Sequence, residues 1–180
     1  MKINQTFIKD LIIIEPKLFE DKRGFFYESY NKNKLDKIIN IIFVQDNESK
    51  SNKGVIRGLH FQKPPYAQTK LVRCVIGKIL DVVVDLRKNS KTYGKSFSIE
   101  LSSDNNLQLL VPKGFAHGFQ VLSETAIVNY KVDNFYNPKS ESGIIWSDKD
   151  LLINWKQDLE QIISKKDLKL ESFKNLKSPF

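Results

Sequence analysis

A series of short apolar segments between residues 70 and 132 most constrains what this chain can fold into. Each segment is rich in β-branched or aromatic residues and ends at turn-forming residues such as Gly77, Asn89 and Gly114. The segments are KLVRCVI at 70–76, ILDVVVDLR at 79–87, SFSIELS at 96–102, LQLLVP at 107–112, GFQVLS at 118–123 and AIVNYKV at 126–132. Short strands at this spacing predict an all-β sandwich or barrel.

Alternation along two of these strands assigns side chains to faces. In 79–87, Asp81 and Asp85 share one face with Val83 and Arg87. The opposite face is aliphatic and consists of Leu80, Val82, Val84 and Leu86. We therefore expect one dry face and one face that carries carboxylates. In 126–132, Tyr130 shares its face with Ala126, Val128 and Val132.

The ends of the chain have weaker patterns. Residues 133–148 predict a long loop, and residues 159–173 predict one or two short helical turns. The 180 residues contain no internal repeat, and a chain of this length can bury about two thirds of its unfolded surface. We expect a single domain over residues 1–180.

Composition excludes several classes of protein. Apolar residues make up 41% of the chain, but no apolar run approaches the roughly 20 residues that would span a bilayer. The apolar stretch at 11–14 ends at Glu15 and Pro16, which makes it too short for a signal-peptide core. A single cysteine, Cys74, excludes an intramolecular disulfide. We expect a cytoplasmic protein without a membrane partner.

The formal net charge of +8 is compatible with a small anionic ligand. The lysines are distributed along the chain rather than clustered. The densest group, Lys165, Lys166 and Lys169, is typical of a solvated face, so we expect no nucleic-acid partner.

The chain contains two histidines, and both lie in glycine-flanked segments. His60 is in RGLHFQ at 57–62 and His117 is in PKGFAHGF at 112–119. A histidine beside an apolar stretch is more often structural than catalytic. However, Arg57 precedes His60, Gln62 shares its face if the segment is a strand, and Lys70 follows closely. The segment thus combines a base, a fork suited to phosphate and an ammonium group.

A metal site is the alternative use of two histidines in a β-barrel. Such a site needs three or four His, Asp or Glu ligands, commonly with two closely spaced histidines. The sequence has no HxH or HxxxH pair. Only a triad of His60, His117 and a carboxylate remains possible, and we expect no metal.

Several motifs together resemble those of the dTDP-4-dehydrorhamnose 3,5-epimerase family. The similarity is carried by QDNES at 45–49, GVIRGLHFQ at 54–62, KLV at 70–72, DVVVDLR at 81–87, PKGFAHGF at 112–119 and YK at 130–131. DKRGFFYES at 21–29 and IWSD at 145–148 also resemble that family. The combination of RGLHFQ with GFAHGF is specific, and the similarity extends over most of the chain.

This resemblance implies a cupin jelly-roll barrel that forms a homodimer and binds a nucleotide-diphosphate sugar without a metal or cofactor. His60 corresponds to the general base, Asp167 to the carboxylate that orients it, and Tyr130 to the acid on the opposite face of the sugar. Lys70 corresponds to the group beside the sugar C4 oxygen. The implied substrate-binding residues are Arg23 and Arg57 at the diphosphate, Glu28, Gln45, Asn47 and Tyr136 at the nucleotide end, and Asp85 and His117 in the cavity wall.

The implied reaction is epimerisation at C3 and C5 of a 4-keto-6-deoxy sugar, from dTDP-4-dehydro-6-deoxyglucose to dTDP-4-dehydrorhamnose. A proton beside a ketone is removed only if the developing enolate is stabilised, and the Lys70 cation supplies that stabilisation. A histidine can accept the proton near neutral pH. Inversion also requires a donor on the other face, for which Tyr130 is suited.

Other functions share part of this pattern. The nearest alternative is an epimerase that inverts C3 alone, or one that acts on a GDP-linked 4-keto-heptose or another 4-keto sugar. A 3,4-ketoisomerase is disfavoured by the matches at Lys70 and Tyr130. A non-catalytic sugar-binding cupin is disfavoured because the His, Lys and Tyr set is intact. A metal-dependent oxygenase is disfavoured because the chain has two histidines in total. Without the resemblance, Tyr130, Lys70, Tyr136 and Asp167 would be interpreted as ordinary strand, surface, loop and capping residues.

Overall fold

The computed structural model describes residues 1–180, and its regular elements are almost all β-strands. The first eight are β1 (Lys2–Gln5), β2 (Ile12–Glu15), β3 (Phe19–Asp21), β4 (Gly24–Phe26), β5 (Gln45–Asn52), β6 (Val55–Gln62), β7 (Lys70–Ile76) and β8 (Lys78–Asp85). The others are β9 (Ser96–Ser102), β10 (Gln108–Val111), β11 (Phe115–Val121), β12 (Thr125–Val132), β13 (Glu141–Gly143) and β14 (Ile162–Ile163). One helical turn, α1 (Lys32–Leu35), and two 3₁₀ turns, Asp167–Lys169 and Phe173–Asn175, complete the chain. None of these helices has the length and apolar character needed to cross a membrane.

Two antiparallel sheets form the body of the protein. The first sheet has the strand order β1-β2-β10-β7-β12-β5, and the second has the order β13-β6-β11-β8-β9, with β14 alongside β6. Strands β3 and β4 form a separate hairpin. The predicted all-β cupin jelly roll with short C-terminal helical segments is confirmed.

The predicted strand boundaries are close to those in the structure. β7 and β9 coincide with the predicted segments, and β8, β10 and β12 differ by one or two residues at their ends. The largest difference is β11, which begins at Phe115 rather than at Gly118. Gly118 lies inside this strand, where the backbone of β6 approaches closely. Glycine is required there because a Cβ would lie 2.6 Å from the Arg57 carbonyl oxygen of β6. The predicted loop 133–148 contains one short strand, β13.

The main core lies between the two sheets. Val72 and Val128 of the first sheet pack in one cluster with Ile79 and Val83 of the second. Tyr130 packs against this cluster, as expected from its place beside Val128. The face that Tyr130 occupies on β12 is therefore the one that points into the barrel.

Both faces of β8 are buried, which corrects the expectation of a single dry face. Val82 and Val84 pack outside the barrel against Ile144 and Trp155 of the C-terminal segment, residues 144–180. The inward face carries Asp81, which has no solvent exposure. The C-terminal segment covers the outer face, so alternation alone could not separate a dry face from a wet one.

A β-bulge in β6 determines which side chains enter the barrel. Arg57 and His60 pair with Phe119 and His117 of β11, so three steps on β6 oppose two on β11. An extra residue reverses the alternation, and both Arg57 and His60 therefore face the barrel interior. The intervening Gly58 has φ +120°, and a Cβ there would lie 2.5 Å from the Gly118 Cα. Only glycine permits this close approach of two backbones.

Candidate active site

A cleft opens into the barrel between the two sheets. Its volume is about 120 Å³. The lining residues are Gln45, Asn47, His60, Phe61, Gln62, Gln68, Lys70, Tyr130, Tyr136 and Glu141. Six of these were predicted as site residues from the sequence: His60, Lys70, Tyr130, Gln45, Asn47 and Tyr136. The fold thus brings together residues separated by up to 96 positions in the chain, from Gln45 to Glu141.

His60 is held by a carboxylate from the C-terminal segment. Its Nε2 lies 2.7 Å from Asp167 Oδ1, and the Gly58 amide donates to Asp167 Oδ2 at 3.3 Å. The Asp167 amide in turn donates to Ser164 Oγ at 3.0 Å. Because Asp167 accepts the Nε2 proton, the lone pair of neutral His60 is on Nδ1, which has no partner in the chain. His60 is therefore arranged as a base that opens to the cleft.

The charge of Asp167 is stabilised by its surroundings. Burial disfavours the carboxylate, but the hydrogen bond and charge of His60, the Gly58 amide and Ser164 outweigh it, so the pKa of Asp167 lies below its ordinary value. An ionised Asp167 stabilises the imidazolium that forms when His60 accepts a proton.

Lys70 occupies the first position of β7, and its side chain is half-buried. Burial lowers the pKa of Lys70 to about 8, while the negative charges of Asp81 and Glu141 oppose that shift. Its Nζ lies 5.9 Å from the ring centre of Tyr130. The ammonium is thus a half-buried cation in the cleft lining, where it can stabilise an oxyanion.

Tyr130 faces the cleft from the opposite sheet to His60. Burial raises the pKa of Tyr130, and the positive charge of Arg57 opposes that shift. The phenol is protonated at neutral pH, which suits a proton donor. Since His60 lies on the second sheet and Tyr130 on the first, a flat ring between the sheets would have the base on one side and the acid on the other.

The sequence profile of the dTDP-4-dehydrorhamnose 3,5-epimerase family matches residues 5–175. The chain belongs to this family. The epimerase of Escherichia coli K12 is 51% identical over 172 residues, which cover 94% of this chain and 93% of that protein. The resemblance predicted from the motifs is confirmed, and with it the assignment to a class of sugar-nucleotide epimerases.

Solved structures of dTDP-4-dehydrorhamnose 3,5-epimerases share the fold. The enzyme of Bacillus anthracis, with TDP and PPi bound, has a TM-score of 0.93 and 50% identity, covering 96% of this chain and 99% of that one. An enzyme of Legionella pneumophila in complex with dTDP-4-keto-L-rhamnose has a TM-score of 0.93 and 42% identity, covering 97% of this chain and 94% of that one.

In this member of the epimerase family, the residues predicted at the nucleotide end form a connected group. Gln45 Nε2 donates to Asn47 Oδ1 at 2.8 Å, and the Tyr136 amide donates to Gln45 Oε1 at 3.2 Å. These contacts fix the mouth of the cleft between β5 and the loop after β12.

Sequence reasoning missed Glu141, which lies on β13 beside Gln62. Glu141 Oε2 accepts hydrogen bonds from Tyr136 Oη at 2.7 Å and from Lys166 Nζ at 2.6 Å. Burial opposes ionisation, but Lys166 and Tyr136 outweigh it, so the pKa of Glu141 lies below its ordinary value. Lys166 is exposed, as expected for a solvated face, and also forms an ion pair with Glu141 at the cleft. The only sequence signal for a role of Lys166 at the site was its position next to Asp167.

Two predicted substrate-binding residues are buried and do not line the cleft. His117 lies beside His60, with its Nε2 2.9 Å from Asp81 Oδ2, and does not line the cleft. Asp85 ends β8 and accepts hydrogen bonds from Arg87, Ser90 and Thr92. These contacts occupy both carboxylate oxygens, so Asp85 closes a turn in this chain.

Two other predicted residues, Arg23 and Glu28, do not line the cleft. Arg23 is in the exposed β3–β4 hairpin, where it pairs with Asp21. Glu28 pairs with Lys34 and Asn31 beside the outer face of the first sheet. A further predicted residue, Arg57, faces the barrel next to the cleft and donates through Nε to Ser51 Oγ at 3.0 Å.

The donor groups for a metal ion are not brought together. No group of three or more His, Cys, Asp or Glu side chains in residues 1–180 could hold one. His60 and His117 are cross-strand neighbours, but each directs Nε2 to a different aspartate.

Proposed function

We propose that this chain inverts C3 and C5 of dTDP-4-dehydro-6-deoxyglucose to give dTDP-4-dehydrorhamnose, without a metal or cofactor. The observation that carries this proposal is the placement of His60 and Tyr130 on opposing sheets, with Lys70 beside Tyr130. This arrangement has the three groups that inversion beside a ketone requires: a base, an acid on the other face and a cation at the ketone oxygen.

The first half of each inversion is proton removal. His60 Nδ1 takes the proton from the carbon next to the C4 ketone, and the electron pair moves onto the C4 oxygen as an enolate. The Lys70 ammonium stabilises that oxygen, and Asp167 stabilises the imidazolium. His60 later releases the proton to solvent.

The second half is protonation from the other face. The Tyr130 hydroxyl gives its proton to the carbon, the ketone re-forms, and the phenolate recovers a proton from solvent. Each centre thus exchanges one carbon-bound hydrogen with water. The same three groups serve C3 and C5 because both carbons flank the same ketone.

The nucleotide and diphosphate bind at the mouth of the cleft. Gln45 and Asn47 offer amide groups on β5, and Tyr136 offers an exposed ring on which a base can stack. Arg57 offers a guanidinium whose terminal nitrogens have no partner in the chain. The net charge of +8 favours this dianionic group.

We include a homodimer in the proposal because Arg23 and Glu28, which are expected to contact the substrate, do not line the cleft. The β3–β4 hairpin that carries Arg23 is exposed along its length, including Phe19, Phe25 and Phe26. Exposed aromatic residues of this kind are typical of a surface that a partner covers. We place the hairpin of each chain at the cleft of its partner, where Arg23 reaches the diphosphate.

Mixing two inactive variants tests this assembly. A His60→Ala chain mixed with an Arg23→Ala chain should regain activity, because one cleft of each mixed dimer then has both wild-type residues. Sedimentation analysis gives the oligomeric state. A monomer, or no recovery after verified exchange of subunits, contradicts the proposed dimer.

We also propose that residues 1–180 form one domain that works in the cytoplasm. Asp167 of the C-terminal segment holds His60 of a central strand, so the two parts act together. Cys74 is a buried free thiol, which agrees with a reducing compartment.

Incubation with 4-keto sugars in heavy water tests the reaction. NMR should show deuterium at both C3 and C5 of the dTDP-linked 6-deoxy sugar, with product of inverted configuration, and no turnover of a GDP-linked 4-keto-heptose. Deuterium at C3 alone indicates the single-centre alternative. Binding without any exchange indicates a non-catalytic protein.

A further inference from the structure

The inward face of β5 carries a row of polar side chains. Gln45, Asn47, Ser49 and Ser51 alternate with exposed residues along the strand. Gln45 and Asn47 line the cleft, whereas Ser51 is 6% exposed and lies opposite Ala126 of the core. A ligand in the cleft therefore meets the first two residues and not Ser51.

Ser51 has one side-chain contact that bears on the cleft. Its Oγ accepts the Nε–H of Arg57 at 3.0 Å. Neither terminal nitrogen of Arg57 has a partner in the chain. One hydrogen bond thus fixes the inner nitrogen of the guanidinium and leaves the two outer nitrogens available.

The two residues come from different sheets, and a short turn at residues 53–54 joins their strands. Ser51 is near the end of β5 in the first sheet, and Arg57 is near the start of β6 in the second. A long arginine side chain loses rotamer entropy when it is fixed, a cost that a buried acceptor removes before the ligand arrives.

We propose that Ser51 is a positioning residue that orients the Arg57 guanidinium so that both terminal nitrogens face the diphosphate of the substrate. This inference rests on the proposed function of Arg57 as a diphosphate ligand. Ser51 acts through Arg57, because its own side chain is covered by the core.

Ser51→Ala measures the contribution of this contact, with binding of TDP and of inorganic pyrophosphate followed by calorimetry. Loss of one hydrogen bond to a charged group should weaken both about five- to tenfold. KM should rise by a similar factor, with kcat within about twofold, since the reacting groups are untouched. Ser51→Thr keeps the hydroxyl and should restore wild-type affinity.

Ser49→Ala is the matched control. Ser49 lies two residues away on the same face, and its buried hydroxyl has no hydrogen-bond partner. Removing it should leave affinity for TDP and pyrophosphate unchanged. Thermal unfolding of all three variants separates a loss of folding from a loss of binding.

A double-mutant cycle decides whether Ser51 works through Arg57. In the Arg57→Ala background, Ser51→Ala should cause no further loss of pyrophosphate affinity. An equal loss in both backgrounds, or wild-type affinity in Ser51→Ala, overturns the inference. Pyrophosphate binding does not require turnover, so a failure of the proposed epimerase activity is a separate result.

Discussion

His60 and His117 lie opposite each other on β6 and β11, and each directs Nε2 to an aspartate, but the two pairs differ in what surrounds them. The His60 side chain is 29% exposed and lines the cleft, whereas that of His117 is 7% exposed and does not. Both oxygens of Asp167 have a hydrogen-bond partner, whereas Asp81 keeps one buried oxygen without a partner.

The difference teaches that a histidine–aspartate pair does not by itself define a base. A base must expose its free nitrogen to the substrate and have a partner whose charge is already satisfied. His60 meets both conditions. The His117 pair instead places an under-satisfied negative charge in the barrel, where it acts on the charge of Lys70.

The largest expected effect separates the two histidines. His60→Ala should abolish proton exchange at every centre, a loss of at least about 10³-fold, with the fold intact. His117→Ala should lower kcat far less, because its side chain pairs with Asp81 and does not line the cleft. Solvent-exchange NMR and steady-state kinetics measure both. Equal losses of turnover at unchanged affinity would contradict the division between the pairs.

Tyr130→Phe tests whether Tyr130 is a separate acid that faces the His60–Asp167 pair across the cleft. Net inversion should fall about 10²-fold or more, while His60 still exchanges the substrate proton with solvent. In heavy water, deuterium should appear in recovered substrate of unchanged configuration. If exchange and inversion fall equally, Tyr130 has a structural role, and wild-type inversion removes it from the mechanism.

Exchanging each aspartate for asparagine compares the partners of the two histidines. Asp167→Asn should lower kcat about 10- to 100-fold, because an amide does not stabilise the imidazolium. Asp81→Asn should have a smaller effect on kcat at pH 7. The opposite order would mean that the buried pair performs the proton transfer.

The pH profile tests the link between Asp81 and Lys70. Lys70 must be protonated to stabilise the enolate, and its pKa is about 8, so kcat/KM should fall as pH rises above about 8. Asp81→Asn removes a charge that raises the pKa of Lys70, so the falling limb should move to lower pH. An unmoved limb would show that this charge does not act on Lys70.

The smallest expected effect is that of chelation. Exhaustive treatment with a chelator should leave activity unchanged, because neither histidine pair forms a set of metal ligands. Loss of activity, with recovery on adding a transition metal, would indicate that both histidines are ligands of one metal ion. The two histidines would then not have separate roles.

The central strands were predictable because their β-branched residues alternate and their turns are marked by glycine and asparagine. β11 was predicted three residues late because Gly118 is typical of a turn, and only the approach of β6 explains its place in a strand. Likewise, the outer face of β8 is dry because the C-terminal segment covers it. This contact cannot be predicted from the alternation of residues within β8.

The positions of the proposed catalytic residues followed from motif resemblance, not from local physics. Alternation would place Arg57 and His60 on opposite faces, and only the bulge at Gly58 puts them on the same one. Glu141 was missed because it lies in a segment without strand character, and its role depends on pairing with β6. The predicted substrate contacts of Arg23 and Glu28 could not be placed within one chain, because neither residue lines the cleft.

The C-terminal segment has a consequence for how the protein is made. A ribosome completes all strands from β1 to β13 before it adds Asp167, the residue that holds His60. A nascent chain that has formed the barrel therefore still lacks an oriented base. A chain that stops before Asp167 should therefore turn over at least about 10- to 100-fold more slowly, as expected for Asp167→Asn, even where its sheets have formed.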